Sequence, residues 1–382
     1  MHPSVIITPR AKKRIKGKHP WIFSNEIESK PDVPAGTLVD IKDPPGHFLG
    51  IGYYNPNTLI AIRILSSNST FDLEERIRLS CERRQHDSTP LHRLVYSESD
   101  ALPGLIVDRY YDTLVVQILT AGMESFRNRT VAALIETIHP QRILLRNDSS
   151  YRQLEGLPLQ VEWVHGDPLD HQILEVDGMK FLVNYEKGQK TGFFLDQQQN
   201  CRRLAAYAHG DSMLDAFCYT GSWALYAAKA GMKRITAVDS SAEALASAAE
   251  NAKMNGYSIT TVAADVFEFL RKQYSAPERY DVIVLDPPAF CKSKRHLDQA
   301  LRGYLDINLH AMKLLNKDGV LFTFSCSQAV TSEIFLDMLR SAAASSGRAF
   351  ILHEILSQPP DHPILLNFPE SHYLKGVVIQ VI

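Results

Sequence analysis

The sequence predicts an α/β chain with a C-terminal Rossmann-like sheet, preceded by a small β-rich module and a central α+β module. Two patterns carry this reading. From about residue 185 onward, apolar strand-like runs alternate with helical stretches, as in an open, mainly parallel sheet with helices on both faces. Before that point, short β-branched runs are punctuated by Pro-Asp, Pro-Pro-Gly and Asn-Pro-Asn turns, the signature of compact β structure.

Composition narrows the function classes. The 382 residues are enough for two or three domains, and 45% are hydrophobic. The net charge of −2 rules out bulk attraction to a polyanion, so any nucleic-acid affinity has to come from local patches. The five cysteines, at 81, 201, 218, 291 and 326, form no CxxC pair and no His/Cys metal spacing. This scattered, odd count points to a reducing compartment and away from a disulfide framework or structural zinc. Without a signal-like apolar segment at the start or a run of membrane-spanning length, the expected location is cytoplasmic, with no membrane partner.

Residues 1–70 read as the β-rich module, with strands near Val5–Thr8, Thr37–Ile41, Leu49–Tyr53 and Leu59–Ile64. The module carries nine Lys and Arg against five Asp and Glu, and six of these cations lie between Arg10 and Lys18. Lys12, Lys13, Arg14 and Lys16 are therefore candidates for contacting phosphates beside Trp21, Phe23, Tyr53 and Tyr54. A solvated loop or helix explains the same run. Residues 71–184 read as the α+β module. A helix at Phe71–Gln85 is followed by strands at Arg93–Tyr96, Leu105–Val107 and Leu114–Leu119, a helix at Glu124–Ile138 and a strand at Arg142–Leu145. Strands at Val161–Trp163, His171–Val176 and Lys180–Asn184 complete it, the last two joined by an Asp177-Gly178 hairpin turn.

Residues 185–382 form the third module. Leu195–Tyr207 reads as a helix. Six strands are expected, at Met213–Phe217, Arg234–Val238, Ile259–Ala263, Asp281–Leu285, Gly319–Phe324 and Gly376–Ile382. The helices between them are Trp223–Ala230, Ala242–Asn255, Val266–Gln273, Leu305–Leu315 and Ser332–Ser345.

Three strand ends of this module carry chemistry. After the first, Asp215, Phe217, Tyr219, Thr220 and Gly221 shape a tight turn that opens a helix, where a glycine lets the backbone approach a ligand. Asp239, at the end of the second strand, suits ribose hydroxyls; Ser240 and Glu243 read as a capping box. Asp265 ends the third strand and could read an exocyclic amine. With one glycine where a pyrophosphate cradle has three, the turn fits S-adenosylmethionine better than a nicotinamide dinucleotide.

Asp286, followed by Pro287 and Pro288, is held rigidly at the mouth of a buried strand. It suits the Watson–Crick edge of a flipped base, although a turn-capping Asp gives the same pattern. Cys326, between two serines at the next strand end, is the candidate nucleophile, with Cys291 and Cys218 as weaker rivals. A buried cysteine is often only a small hydrophobe. However, pyrimidine C5 takes a methyl group only after a thiolate adds to C6. Lys292, Lys294 and Arg295 are the cations expected to lower the thiol pKa. The segment from Glu186 to Asp196, with Gln189, Lys190, Thr191 and Asp196, reads as a lid or cofactor clamp or as a plain connection. Phe368–Lys375 reads as an active-site edge or a turn.

These residues together resemble the three-domain bacterial family of 23S rRNA cytosine-C5 methyltransferases. The resemblance rests on Gly17-Lys-His-Pro-Trp-Ile-Phe23, Leu102-Pro-Gly-Leu-Ile-Val-Asp108, Gly188-Gln-Lys-Thr-Gly-Phe-Phe-Leu-Asp196 and Phe217-Cys-Tyr-Thr-Gly221. It continues through Val238-Asp-Ser-Ser241, Asp286-Pro-Pro-Ala-Phe290, Arg302-Gly-Tyr-Leu-Asp-Ile-Asn308 and Ser325-Cys-Ser327. It implies a PUA domain, a central α+β domain and a class I methyltransferase domain using S-adenosylmethionine. It also implies Cys326 as nucleophile, Asp286 as base-contacting acid and 23S ribosomal RNA, with a flipped or single-stranded cytosine, as partner. A homodimer stays open. Ala289 follows the prolines where related RNA cytosine methyltransferases place a second cysteine, so the base that removes the C5 proton is unassigned. Competing readings are an amino-group methyltransferase, a non-catalytic RNA-binding assembly factor and a dehydrogenase.

Overall fold

The computed structural model describes residues 2–84, 89–188, 191–276, 278–291 and 294–382. The chain divides into two compact units. The first comprises Met1–Gln172, Val183–Leu195 and Pro360–Ser371, and the second Ile173–Leu182, Asp196–Pro359 and His372–Ile382.

The first unit contains two sheets. A six-stranded sheet runs from Ser4–Ile7 to Ile60–Ser66 and encloses a core of Val5, Ile7, Ile22, Val39, Ile41 and Ile62. A five-stranded sheet built from Leu91–Tyr96 through Gln160–His165 packs against helices Leu73–Glu82 and Arg127–Ile138. The basic run near the N-terminus is a helix, Pro9–Lys16. Thr8 caps it by accepting a hydrogen bond from the Ala11 amide at 3.2 Å, and Pro9 takes the first helical position, where its missing N–H costs nothing. The helix expected over 124–138 breaks at Phe126 into Ala121–Ser125 and Arg127–Ile138. The hairpin turn at Asp177-Gly178 forms as expected, with both residues at positive φ (52° and 71°).

The second unit is built on seven strands: β1 (Ser212–Ala216), β2 (Arg234–Asp239), β3 (Thr260–Ala263), β4 (Tyr280–Leu285), β5 (Leu315–Ser325), β6 (Phe350–Ser357) and β7 (Lys375–Val381). Their order is β3-β2-β1-β4-β5-β7-β6. β7 runs antiparallel to both its neighbours, β5 and β6, while the other pairs are parallel. β1 and β4 are buried and apolar along most of their length, as a sheet covered on both faces requires. Helices Val266–Tyr274, Leu297–Leu314 and Ser332–Ser346 pack on one another, and so do Gln198–Arg203, Ser222–Lys229 and Ala242–Met254.

Three expectations change. The sheet has a seventh strand, β6, which lies at its edge and keeps Ile351, Leu352 and Ile355 exposed. The helix expected from Leu305 begins at Leu297. The helix expected over 195–207 is instead a short α-helix flanked by two 3-10 turns. The chain crosses from β3 to β4 around β1, so the crevice of the topological switch lies outside the carboxyl ends of β1 and β4.

Gly376 in β7 faces Phe324 in β5, and a Cβ there would come within 2.4 Å of the Phe324 ring. Gly376→Ala is therefore expected to lower stability by about 1–3 kcal/mol through overpacking. Urea unfolding of the two proteins checks this.

Candidate active site

The turn after β1 is strained in a confined way. Phe217, Tyr219 and Gly221 take φ of 64°, 48° and 81°, a region costly to residues with a Cβ. The neighbouring elements hold the turn in that form. The Cys218 amide donates to Val238 O at 3.1 Å, and the Gly221 amide to Cys218 O at 2.8 Å. Thr220 O accepts from Asn251 Nδ2 at 3.0 Å.

Asp239 ties the turn to β2, accepting from the Tyr219 amide at 3.0 Å and the Ser241 amide at 2.9 Å, one on each oxygen. Each oxygen keeps a lone pair for another donor. The helix cap is Ser241 rather than Ser240: its hydroxyl accepts from the Ala244 amide at 3.2 Å. Asp265 is exposed and caps the helix after β3, accepting from the Glu268 amide at 3.0 Å.

Asp215 lies fully buried beneath this turn. One oxygen accepts from the Ala224 amide at 3.0 Å, and the other has no protein partner. Burial raises its pKa to about 8, with Asp286 and Asp239 pushing the same way against the Ala224 hydrogen bond. Asp286 has the opposite surroundings. Its two oxygens accept from Gln197 Nε2 at 2.9 Å and from Trp223 Nε1 at 3.2 Å. Gln197 is fixed by Asn200, which also donates to Ser357 O. Trp223 packs on Phe322 and Phe324.

Cys326 stands one strand away. Its Sγ donates to Pro287 O at 3.6 Å, so the thiol lies against the Asp286–Pro288 bend. The flanking serines are fully buried and hold the loop. Ser327 Oγ accepts from the Cys291 amide at 3.1 Å and shares a hydrogen bond with Tyr304 OH at 2.9 Å. Tyr304 also stacks against Phe290. The motifs Asp286–Phe290, Arg302–Asn308 and Ser325–Ser327 therefore converge on one place. Among the five cysteines Cys326 alone is not buried. Burial raises the pKa of Cys81, Cys201 and Cys218 above the ordinary thiol value.

Sequence reasoning missed three residues here: Gln197, Trp223 and Lys375. Lys375, at the start of β7, is 3% exposed and donates to Ser327 O and Tyr373 O, each at 2.7 Å. It closes the Phe368–Lys375 stretch, the one signal that could have found it.

The remaining expected site residues have the following surroundings. Thr191 is buried in the first unit, where its hydroxyl donates to Asp108 Oδ2 at 2.6 Å and contacts Tyr110 OH at 2.8 Å. These two contacts occupy its hydroxyl within the first unit. Asp196 belongs to the second unit and accepts from Tyr373 OH at 2.6 Å. Lys12 is paired with Asp43 at 2.7 Å and Arg14 with Glu26. The exposed cations of that helix are Arg10, Lys13 and Lys16, followed by Lys18. Tyr53 and Tyr54 are core residues. Gln189, Lys190 and Lys292 lie outside the described residues, as does the side chain of Lys294. No helix among the described residues is long and apolar enough to cross a membrane.

An adenosyl cofactor fits this edge. It would find a preformed turn, a ribose-facing carboxylate in Asp239 and an unpartnered buried oxygen on Asp215. Fold and edge together define an S-adenosylmethionine-dependent methyltransferase. A family model of that description matches residues 131–371, and a PUA-like domain model matches residues 5–67. The chain is 40% identical to ribosomal RNA large subunit methyltransferase I of Shewanella frigidimarina over 98% of each chain. It is 38% identical to the protein of that name from Tolumonas auensis over the whole of both. A methyltransferase structure from Streptococcus mutans shares the fold at 20% identity, with a TM-score of 0.86 over 99% of this chain and 100% of that one. The chain belongs to the ribosomal RNA large subunit methyltransferase I family and is an S-adenosylmethionine-dependent methyltransferase of large-subunit rRNA.

The raised pKa of Asp215 makes a prediction about stability. Its folded value lies above the unfolded one, so its contribution is complete at acid pH and is lost as pH rises toward about 8. Thermal unfolding between pH 5 and 8 should show the wild type losing on the order of 1–3 kcal/mol more than Asp215→Asn.

Proposed function

We propose that the enzyme forms 5-methylcytosine in 23S rRNA through a covalent bond between Cys326 and C6 of an extruded cytosine. The observation that carries this reading is the pairing, at adjacent strand ends, of the one thiol that is not buried with a carboxylate fixed by two N–H donors. Both donors orient Asp286 with its oxygens as acceptors, and a carboxylate offers acceptors only. Such a group accepts from the N4 amine of cytosine and repels O4 of uracil, which favours cytosine at the edge that distinguishes the two bases.

Thiolate addition to C6 makes C5 enamine-like and nucleophilic. S-adenosylmethionine, when bound, supplies an electrophilic methyl group on its sulfonium. Loss of the C5 proton then drives the sulfur off C6 and returns Cys326 as a thiolate. Asp239 holds the ribose, and Asp215 with the Phe217–Gly221 turn holds the rest of the donor against the edge of β1. Residues 1–70 work as the PUA-like RNA-binding part, with Arg10, Lys13 and Lys16 as phosphate contacts. Residues 71–184 form the central domain, and residues 185–382 carry the catalysis. An enzyme acting on ribosomal RNA from such a scaffold works in the cytoplasm.

Cys326→Ala is expected to abolish methylation while cofactor affinity stays within a few-fold. Asp286→Asn should lower kcat/KM by about a hundredfold or more, because an amide can no longer serve as a pure acceptor. Both are read by methyl incorporation into rRNA and by mass spectrometry of the modified nucleoside. Normal methylation by Cys326→Ala, or a product methylated on nitrogen, contradicts the reading.

A further inference from the structure

The basic loop around Lys292 is the source of positive charge that the sequence suggests for activating Cys326. The geometry points to a different one: we propose that Lys375 is the counterion that holds Cys326 as a thiolate, which makes it a positioning residue for the nucleophile. This rests on the covalent reading above.

Three observations support it. First, β7 lies against β5 in antiparallel register with Lys375 opposite Ser325, the residue before the nucleophile. Second, the ammonium reaches past that pair to Ser327 O, the carbonyl just after the nucleophile. Its second hydrogen bond goes to Tyr373 O. Two of its three protons are thus taken by neutral carbonyls, and one remains for an anion. Third, Lys375 as a whole is 3% exposed, and a buried charge is stable only when paired.

Among the described residues, the neighbouring titratable groups point to one partner. His372, on the same segment, has its pKa lowered by burial and by Lys375 itself, which keeps it neutral. Tyr304, from the helix packed under the loop, is pushed up to about 12 and stays protonated. Asp196 is engaged by Tyr373 OH, and Asp286 by Gln197 and Trp223. Cys326 is the group whose charge acts on Lys375, supporting the protonated amine against a burial that pulls it down to about 8. In the ionisation, the S–H proton leaves to solvent, its electron pair stays on sulfur, and the ammonium keeps all three of its protons. The lysine then matters twice, since the same thiolate is the leaving group when the adduct collapses.

Iodoacetamide alkylation of the full-length protein across pH 5–10, mapped by peptide mass spectrometry, tests this directly. Cys326 is the thiol that is not buried, so it should react first. In the wild type its midpoint should fall clearly below the ordinary thiol value of about 8.5. Lys375→Met should raise that midpoint by about one unit or more and shift the acid limb of the rate profile with it, while Lys375→Arg should restore most of the shift. A wild-type midpoint at or above the ordinary value overturns the proposal without any variant, and so does an unchanged midpoint in a folded Lys375→Met protein. Loss of turnover in Cys326→Ala beside such a negative result would leave the covalent reading standing without this lysine. Normal turnover in Cys326→Ala would remove that reading whatever the alkylation shows.

Discussion

The register of three adjacent strands is the constraint on which this site depends. β4 and β5 run parallel with Leu285 opposite Thr323, and β5 and β7 run antiparallel with Ser325 opposite Lys375. That arrangement delivers a carboxylate, a thiol and an ammonium to one edge from segments far apart in the chain. Successive side chains alternate between the two faces of a sheet, so a slip of one residue would turn each group away from the others. The register is secured where the sheet is most buried, by Phe322 and Phe324 against Trp223. Trp223 also donates to Asp286, so the packing that fixes the strands orients the acid as well.

Environment separates the charges on this edge. Asp215 and Asp286 belong to neighbouring strands, yet one is buried with a single amide donor and the other accepts from an amide and an indole. Burial favours the neutral acid in the first case, and two N–H donors orient the carboxyl in the second. The strained turn has its cost met by the hydrogen bonds it donates to Val238 and Asp239 and accepts from Asn251. A turn held this way meets a cofactor without rearranging, which is where preorganisation has its effect on rate.

Much of this was legible in the sequence, for physical reasons that differ by residue. Asp286 follows the apolar run Val282–Leu285 and Cys326 a largely apolar one, Gly319–Ser325, and an apolar run that stops at a polar residue marks a sheet edge. The turn at Phe217–Gly221 announced itself through its glycine and the helix behind it. Lys375 was not legible, because its partner lies about fifty residues earlier and meets it only through antiparallel pairing across the sheet. β6 escaped because an edge strand with one solvated side, Phe350-Ile-Leu-His-Glu-Ile-Leu-Ser357, lacks the uniform apolar run of a central strand. The cations Lys12 and Arg14 looked like a phosphate face but were spent on Asp43 and Glu26, carboxylates that no local pattern ties to them. Thr191 lies in the stretch that reads as a clamp or a plain connection, and its hydroxyl meets Asp108, a partner that no local pattern ties to it.

The central claim is a covalent bond between the sulfur of residue 326 and a pyrimidine ring. RNA carrying 5-fluorocytidine tests it most directly. Fluorine at C5 cannot leave as a proton does, so the sulfur–carbon bond formed at C6 persists. Incubated with S-adenosylmethionine, the enzyme should form a denaturation-resistant RNA complex whose digest carries the nucleotide on the Cys326 peptide. No complex, or an adduct on Cys291, would contradict the account.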